Sequence, residues 1–439
     1  MKITLIRPNM GVKKGRDYKE LGSMEPYALA LLAGSIPHGI EIKMYDERLE
    51  EIDYDEKTDL VAITVETFTA KRAYAISSRF RERGIPVVLG GFHASLIPEE
   101  AKQHADSVVI GEAEPIFNTV LEDFQNNRLK PIYNSGYKSD LVGHRSNRSI
   151  FKGKKYLPIT LTHFSRGCPY SCSYCPDAVL YGGKIRFRSI EDVVADIESQ
   201  ENELVFFVDN SITYNKENLK ALLRAITPLK IKWISQADIS VAQDNELLQL
   251  MVNSGCFGLV VGFESLSEGN LRQMRKSPNL PLLSQYSSLV KRIHGYGISM
   301  WAAFLLGYDS DTKDSIKETL DFALKHKFFF AAFNQLIPYY GTPIYKFLEQ
   351  EKRLLFDKWW LDDNYRFNQT AYIPKNMSAQ DLSDECSKAR QIYNSGMNML
   401  FRAGNIKADL NNIQKFSLFF KYASIFKKEI QNKQELILK

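Results

Sequence analysis

Ser165-Arg166-Gly167-Cys168-Pro169-Tyr170-Ser171-Cys172-Ser173-Tyr174-Cys175-Pro176 is the stretch on which the fold turns. Its cysteines are spaced C-x3-C-x2-C. Three thiolates on one short loop can each hold one iron of a cubane cluster, which leaves the fourth iron open to a substrate or cofactor. The competing reading is a four-coordinate zinc site. It would recruit His163, five residues before Cys168. The chain has five cysteines, none within residues 1–167, and Cys256 and Cys386 stand alone. An odd count without a secretion signal favours metal or redox use over a disulfide framework. Cys256 precedes an apolar strand and reads as a small buried hydrophobe. Cys386 reads as incidental.

Downstream of the cysteines, apolar strand-like runs alternate with helical periodicity. The strands are expected at Val205–Val208, Lys232–Ser235, Phe257–Phe263, Ser299–Leu306 and Phe329–Leu336, while Thr160–Thr162 and Phe164 lead into the cysteine loop. About six βα units predict a partial (β/α)6 barrel, whose strand ends form one rim where active sites sit. Asp209, Asp238, Glu264 and Asp309 fall just past or at those ends. Each could be a helix cap, but four acids on one rim suggest a shared site.

Upstream, the same alternation predicts a doubly wound parallel sheet. Its strands are expected at Lys2–Arg7, Ile40–Tyr45, Leu60–Val65, Ile85–Leu89 and Ser107–Ile110. Ligands of such sheets dock at the carboxyl ends of the strands. Two of those ends carry Thr64 to Thr67 and Gly90-Gly91-Phe92-His93. There is no GxGxxG, so a dinucleotide fingerprint is not supported.

The 439 residues are 44% hydrophobic and 25% charged, which excludes a disordered chain. No apolar run is long enough for a membrane span. The start, MKITLIRPNM, lacks the pattern of a signal peptide, so a cytoplasmic protein is expected. Of the net charge of +5, residues 405–439 carry +4, and the remaining body is close to neutral. That argues against a dedicated nucleic-acid binder. Ala379–Arg402 reads as one long helix. Asp409–Gln431 reads as another, with Ile413, Phe416, Phe420, Ala423 and Ile430 on a stripe packed on its own protein. The alternative for this basic tail is peripheral contact with a membrane or a partner. Trp359-Trp360 and Asn364–Pro374 read as an irregular cover over the barrel mouth.

The C-x3-C-x2-C motif, with an aromatic residue before its last cysteine, resembles the signature of the radical S-adenosylmethionine (SAM) superfamily. VFFVDNSIT, VVGFESLSEGNLRQMRK and LLGYDSDT resemble its segments after successive barrel strands. VVLGGFHASLIPEEA and VVIGEAEP resemble cobalamin-binding domains fused ahead of such barrels, and YGTPIYKFLEQEKRLL the segment just after them. The layout implied is a cobalamin-binding-like Rossmann domain over 1–125, a linker over 126–154, a radical SAM partial barrel over 155–345 and a C-terminal cover and helical domain over 346–439.

The resemblance implies an enzyme with three cofactors. Cys168, Cys172 and Cys175 would ligate a 4Fe–4S cluster whose open iron chelates SAM. Tyr174 would lie against the adenine, and Gln236 or Asp238 would face the ribose or substrate. Glu264 and Asp209 would face the methionyl end or substrate. Thr64, Thr67, Gly90, Gly91 and His93 would surround a cobalamin, with His93 a candidate axial ligand. Reductive cleavage of SAM would release a 5′-deoxyadenosyl radical that abstracts a substrate hydrogen, and methylcobalamin would deliver the methyl group. The substrate would be a small or lipid-like molecule with an unactivated carbon, and a flavodoxin or ferredoxin would supply electrons. Relatives of this layout act on hopanoids, porphyrin-type pigments and antibiotic precursors. One departure is that the family's Asp-Asp pair is Asp209-Asn210 here. The cobalamin-mutase motif D-x-H-x-x-G is also absent. The alternatives are a radical SAM cyclase, rearrangement or oxidation enzyme without cobalamin, and a zinc-binding module without catalysis.

Overall fold

Five short apolar runs near the start of the chain, joined by the more polar Ile132–Gly136, become six parallel strands: β1 (Lys2–Arg7), β2 (Glu41–Asp46), β3 (Leu60–Thr64), β4 (Val87–Gly90), β5 (Ser107–Gly111) and β6 (Ile132–Gly136). Their order in the sheet is β2-β1-β3-β4-β5-β6. Ile3, Leu5, Leu60, Val61 and Ile63 are buried because helices cover both faces of a parallel sheet. The order reverses between β1 and β3, which opens a crevice beyond their carboxyl ends. β6 falls in the stretch expected as a linker. Its residues Tyr133 and Gly136 pair with Val109 and Gly111.

The computed structural model describes residues 1–137, 140–141, 143, 145–200, 202, 204–405 and 413–439, without the side chains of 413, 414 and 416. The chain divides into two units. The first is Met1–Leu157 with Phe356–Phe367 and Glu435–Lys439, and the second is Pro158–Leu355 with Asn368–Gln434. The tryptophan pair therefore packs within the first unit, and residues 368–374 of the expected cover belong to the second. Trp359 and Trp360 are each 1% exposed, and Phe68 meets Trp359 and Phe367 at 5.0 Å. Ile437–Leu438 pairs antiparallel with Gly11–Lys13.

The second unit holds β7 (Thr160–Thr162), β8 (Leu204–Phe207), β9 (Lys232–Ala237), β10 (Cys256–Glu264), β11 (Ser299–Leu306) and β12 (Phe330–Gln335). They lie side by side in chain order, every neighbouring pair parallel. This is the open sheet of a partial barrel. Alternation decides its two faces. Val205, Phe207, Trp233, Leu259, Val261, Phe263, Phe304 and Phe333 join the helices in one core. Ile234, Gln236, Val260, Gly262, Trp301, Ala303 and Leu305 alternate with those residues and are half-buried on the other face. The helices are begun by side-chain caps, among them Asp244 on Leu247 N and Thr312 on Ser315 N.

The expected helix Ala379–Arg402 is two, Ala379–Tyr393 and Gly396–Ala403. Ser395 breaks it by accepting from Asn398 N as the cap of the second. The last helix, Ile413–Lys433, lays Phe419, Ala423 and Phe426 against Phe329, Phe330 and Trp301. Trp301 and Phe330 lie opposite each other near the start of β11 and β12, so this helix closes the amino end of the open face. Residues 409–412 and the side chains of Ile413 and Phe416 lie outside the described residues. Cys256 is buried as expected. Cys386 is fully buried in the core and not incidental. Among the described residues no helix is long and apolar enough to cross a membrane.

Candidate active site

Beyond β7 the chain turns through His163 and Phe164 into a hairpin of Ser165–Gly167 and Ile185–Phe187, and Cys168 follows. Asp209, two residues past β8, holds that turn. Its carboxylate accepts from Phe164 N (3.0 Å), Ser165 N (2.5 Å) and Ser165 Oγ (2.6 Å). Burial raises this carboxyl to about 6 against those bonds. Asp209 is therefore engaged with the scaffold and does not face an open site.

Between the second and third cysteines, Ser173 is tied at three atoms. Its N donates to Met274 O (2.8 Å), its Oγ donates to Gln273 O (2.9 Å), and its O accepts from Ile344 N (3.0 Å). The last cysteine stands at the N-cap position of the short helix Pro176–Tyr181. No side-chain hydrogen bond caps that helix, and burial pushes the Cys175 thiol up to about 12. Asn210 Nδ2 donates to Asp177 Oδ2 (2.9 Å), which fixes the start of that helix. The departure from Asp-Asp is thus a built contact: an aspartate at 210 would set two carboxylates against each other.

The loop after β8 is pinned as well. Ile212 N donates to Gln236 O (2.9 Å), and Thr213 Oγ1 donates to Asp238 Oδ2 (2.7 Å). Asp238 also caps the turn at Ser240. Like Asp209, it positions backbone. The loop carries Tyr214, whose Oη donates to Cys168 Sγ at 3.0 Å. Of Gln236, the structure shows a half-buried residue on the open face near the carboxyl end of β9.

At the end of β10 the register with β11 shifts, and Glu264 adopts a φ of 63°. Such strained backbone concentrates at functional sites. It lets the side chain fold back over Gly262 to accept from Tyr174 Oη (2.9 Å) and Lys276 Nζ (3.0 Å). A Cβ on Gly262 would press on Glu264 Oε1, with Glu264 Cδ at 3.3 Å and Lys276 Nζ at 3.4 Å. Burial works to lower the Lys276 ammonium, but the charges of Glu264 and Cys172 carry it above its ordinary value. Sequence reading missed Lys276, Ser173 and Tyr214. Lys276 alone had a signal, as the last residue of the VVGFESLSEGNLRQMRK segment.

In the first unit His93 is 0% exposed. Its Nδ1 lies 3.3 Å from Thr67 Oγ1 and its Nε2 3.1 Å from Glu100 Oε1. Glu100 also accepts from Tyr74 Oη and Trp360 Nε1, each at 3.0 Å. Both ring nitrogens of His93 serve this buried network, so the ring is not poised as an axial ligand, and Thr67 is engaged with it. Gly91 has a φ of 96°, and a Cβ there would meet Thr64 Oγ1 at 3.0 Å and Val65 N at 3.1 Å. The protein's own β3 end, and not a ligand, requires that glycine. Thr64, Gly90 and Gly91 stay half-buried along the strand-end edge.

Among the described residues no three His, Cys, Asp or Glu side chains converge as a single metal ion would require. His163 is engaged through its carbonyl, which accepts from Arg188 Nη1 at 3.2 Å. A cubane differs from a single ion in spreading its ligands over separate irons. The donor set here is all thiol. Two of the thiols have company that favours the anion: the Tyr214 hydroxyl at Cys168 and the Lys276 ammonium charge felt at Cys172. These residues fit an iron–sulfur cluster.

Residues 162–323 match the Radical SAM superfamily model, and residues 21–121 match the B12 binding domain model. The chain is 30% identical over 354 residues to bacteriochlorophyllide d C-8(2)-methyltransferase of Chlorobaculum tepidum, covering 76% of this chain and 78% of that protein. It is 28% identical over 382 residues to the C-12(1)-methyltransferase of the same organism, covering 84% and 82%. Hopanoid C-2 methylase of Rhodopseudomonas palustris is 24% identical, covering 84% and 71%. The solved structure of the radical S-adenosylmethionine methyltransferase TsrM from Kitasatospora setae, with cobalamin and a 4Fe-4S cluster bound, superposes with a TM-score of 0.69 at 16% identity. That match covers 98% of this chain and 99% of that one.

Proposed function

The chain belongs to the radical SAM superfamily, in the class with an N-terminal B12-binding domain, and from that membership we propose that it is a cobalamin-dependent methyltransferase acting on an unactivated carbon. The observation that carries the reading is the thiol loop, with Tyr214 on Cys168 and the Lys276 charge toward Cys172, in a chain that also matches the B12-binding model. Cys168, Cys172 and Cys175 would hold the 4Fe–4S cluster. Tyr174, Glu264 and Lys276 would receive SAM, with Gln236 toward its ribose. Thr64, Gly90 and Gly91 would border the cobalamin, without an imidazole from His93. When bound, the cluster supplies the electron that cleaves SAM, and cobalamin supplies the methyl carrier.

The chain's own residues orient and exclude. Asp209 and Ser173 fix the thiol loop from both sides. Lys276 and Glu264 offer one cation and one anion side by side, suited to the carboxylate and amino groups of a methionyl end. Ile234, Val260, Ala303 and Leu305 make the open sheet face apolar, and the last helix shuts its amino end. An apolar face of this kind supports a lipid-like or polycyclic substrate. The relatives named for bacteriochlorophyllide and hopanoid support the same class.

The test is anaerobic reconstitution with iron and sulfide, then titration with hydroxocobalamin and desalting. Stoichiometric retention of the corrin together with a loaded cluster is expected. A loaded cluster without retained corrin would move the reading to a radical SAM enzyme that does not use cobalamin.

A further inference from the structure

We propose that Tyr214 raises the reduction potential of the iron–sulfur cluster by donating its phenolic hydrogen to the Cys168 thiolate. The inference rests on the cluster assignment above and goes beyond it. The Oη to Sγ distance is 3.0 Å. The donor is held in place and not merely nearby. Tyr170, from the cysteine loop itself, meets the Tyr214 ring edge-on at 5.5 Å and 69°. The preceding residues are tied down: Ile212 N to Gln236 O, and Thr213 Oγ1 to Asp238 Oδ2.

The physical consequence follows from charge. Reducing the cluster adds one electron, and much of the added charge resides on sulfur. A hydrogen bond to a ligating thiolate stabilises that more negative state and raises the potential. At Cys168 the donor is a side-chain hydroxyl, which a substitution can remove. Reduction to the cleavage-competent state is then easier for a given electron donor.

The experiment uses the full-length chain reconstituted anaerobically, with iron and sulfide assayed. The cluster is titrated with dithionite through redox mediators, read by electron paramagnetic resonance. Tyr214→Phe keeps the ring and its packing and loses only the hydroxyl. The expected result is a full iron complement with a more negative midpoint. At the unsubstituted protein's midpoint, the reduced-to-oxidised ratio should fall about threefold to tenfold, tenfold corresponding to 59 mV for one electron. Tyr170→Phe, which removes the other hydroxyl of the ring pair, should leave the midpoint unmoved. An unmoved midpoint in Tyr214→Phe overturns the proposal, as does an equal shift in Tyr170→Phe, which would assign the effect to the loss of any nearby hydroxyl dipole and not to the bond to Cys168. Failure of the unsubstituted chain to hold iron would instead strike the functional reading itself.

Discussion

Replacing Gly262 by alanine tests the Glu264 site through a single methyl group. The new Cβ would overlap Glu264 Oε1 and crowd Lys276 Nζ at 3.4 Å. The obstacle is the end of a flexible side chain and not backbone, so the strand should survive and the carboxylate should move. In moving it gives up Tyr174 Oη at 2.9 Å and Lys276 Nζ at 3.0 Å. Glu264 and Lys276 side chains are 12% and 16% exposed, between an open surface pair and a fully buried one. Surface pairs contribute ~0–1 kcal/mol. Breaking a buried pair costs ~3–5 kcal/mol. About 2 kcal/mol is therefore the arrangement's value here, and it is lost from the pocket and not from the core. If these groups receive the methionyl end, SAM should bind roughly 10- to 100-fold more weakly, at 1.4 kcal/mol per tenfold. Iron loading should stay intact. Anaerobic equilibrium dialysis against SAM, with iron assay and thermal melting in parallel, reads all three. SAM affinity within about twofold of the unsubstituted protein, in a folded and iron-loaded G262A, would refute the placement of SAM at Glu264.

Three further outcomes follow from the same geometry. Serine at Cys168, Cys172 or Cys175 should each deplete bound iron after reconstitution, whereas serine at Cys256 or Cys386 should leave it unchanged, and C386S should lower stability by ~1–3 kcal/mol as a hydroxyl enters the core. His93→Asn should destabilise the first unit by ~1–3 kcal/mol through the stranded Glu100 network, yet leave the absorption spectrum of bound hydroxocobalamin unaltered. A changed spectrum would restore His93 as a ligand. Burial lowers His294 and His326 to about 4. Their stabilisation is therefore full above the unfolded value near 6.5 and is lost as pH falls through about 4, up to ~3 kcal/mol each. Urea titrations from pH 7.5 to 4 should show that decline, and H326Q should blunt it.

The fold was legible wherever periodicity and length agreed. Ten of the twelve strands in the two large sheets announce themselves as short apolar runs. Thr160–Thr162 does not, with one apolar side chain between two threonines. Nor does Ile132–Gly136, which has one buried aromatic and the polar run Asn134-Ser135-Gly136. It exists because β5 offers an edge, which no local pattern reveals. The break at Ser395 is a cap inside a stretch that otherwise reads as helix. The return of Trp359 and Trp360 to the first unit depends on Glu100, some 260 residues away. Of the candidate site, the cysteine spacing and the strand-end place of Glu264 are visible in the sequence, and Lys276 only as the last residue of a family-like segment. The contacts of Lys276 and Tyr214 are not, because they come from a fold-back over Gly262 and from a loop pinned by other loops.

The strand-end acids show why a rim pattern in sequence over-assigns chemistry. A parallel barrel ends each strand in a loop whose backbone N–H groups lose their sheet partners as they bury. An aspartate there can satisfy two or three of them, and each bond to a charged acceptor contributes ~1.5–3 kcal/mol. Asp209 does this for Phe164 and Ser165, and Asp311 for Gly307 and Tyr308. Asp309 is occupied by Arg353 and Gln273, and Asp238 by Thr213 and Ser240. Only Glu264 turns toward the open face, and it does so with a lysine and a tyrosine in place of backbone amides. The same residue type at the same topological place thus divides into acids that hold loops and one acid those loops present. The loops so held carry Cys168 and Tyr214, so under the proposed assignment the scaffold acids would act on the cluster by fixing where its ligand and its hydrogen-bond donor stand.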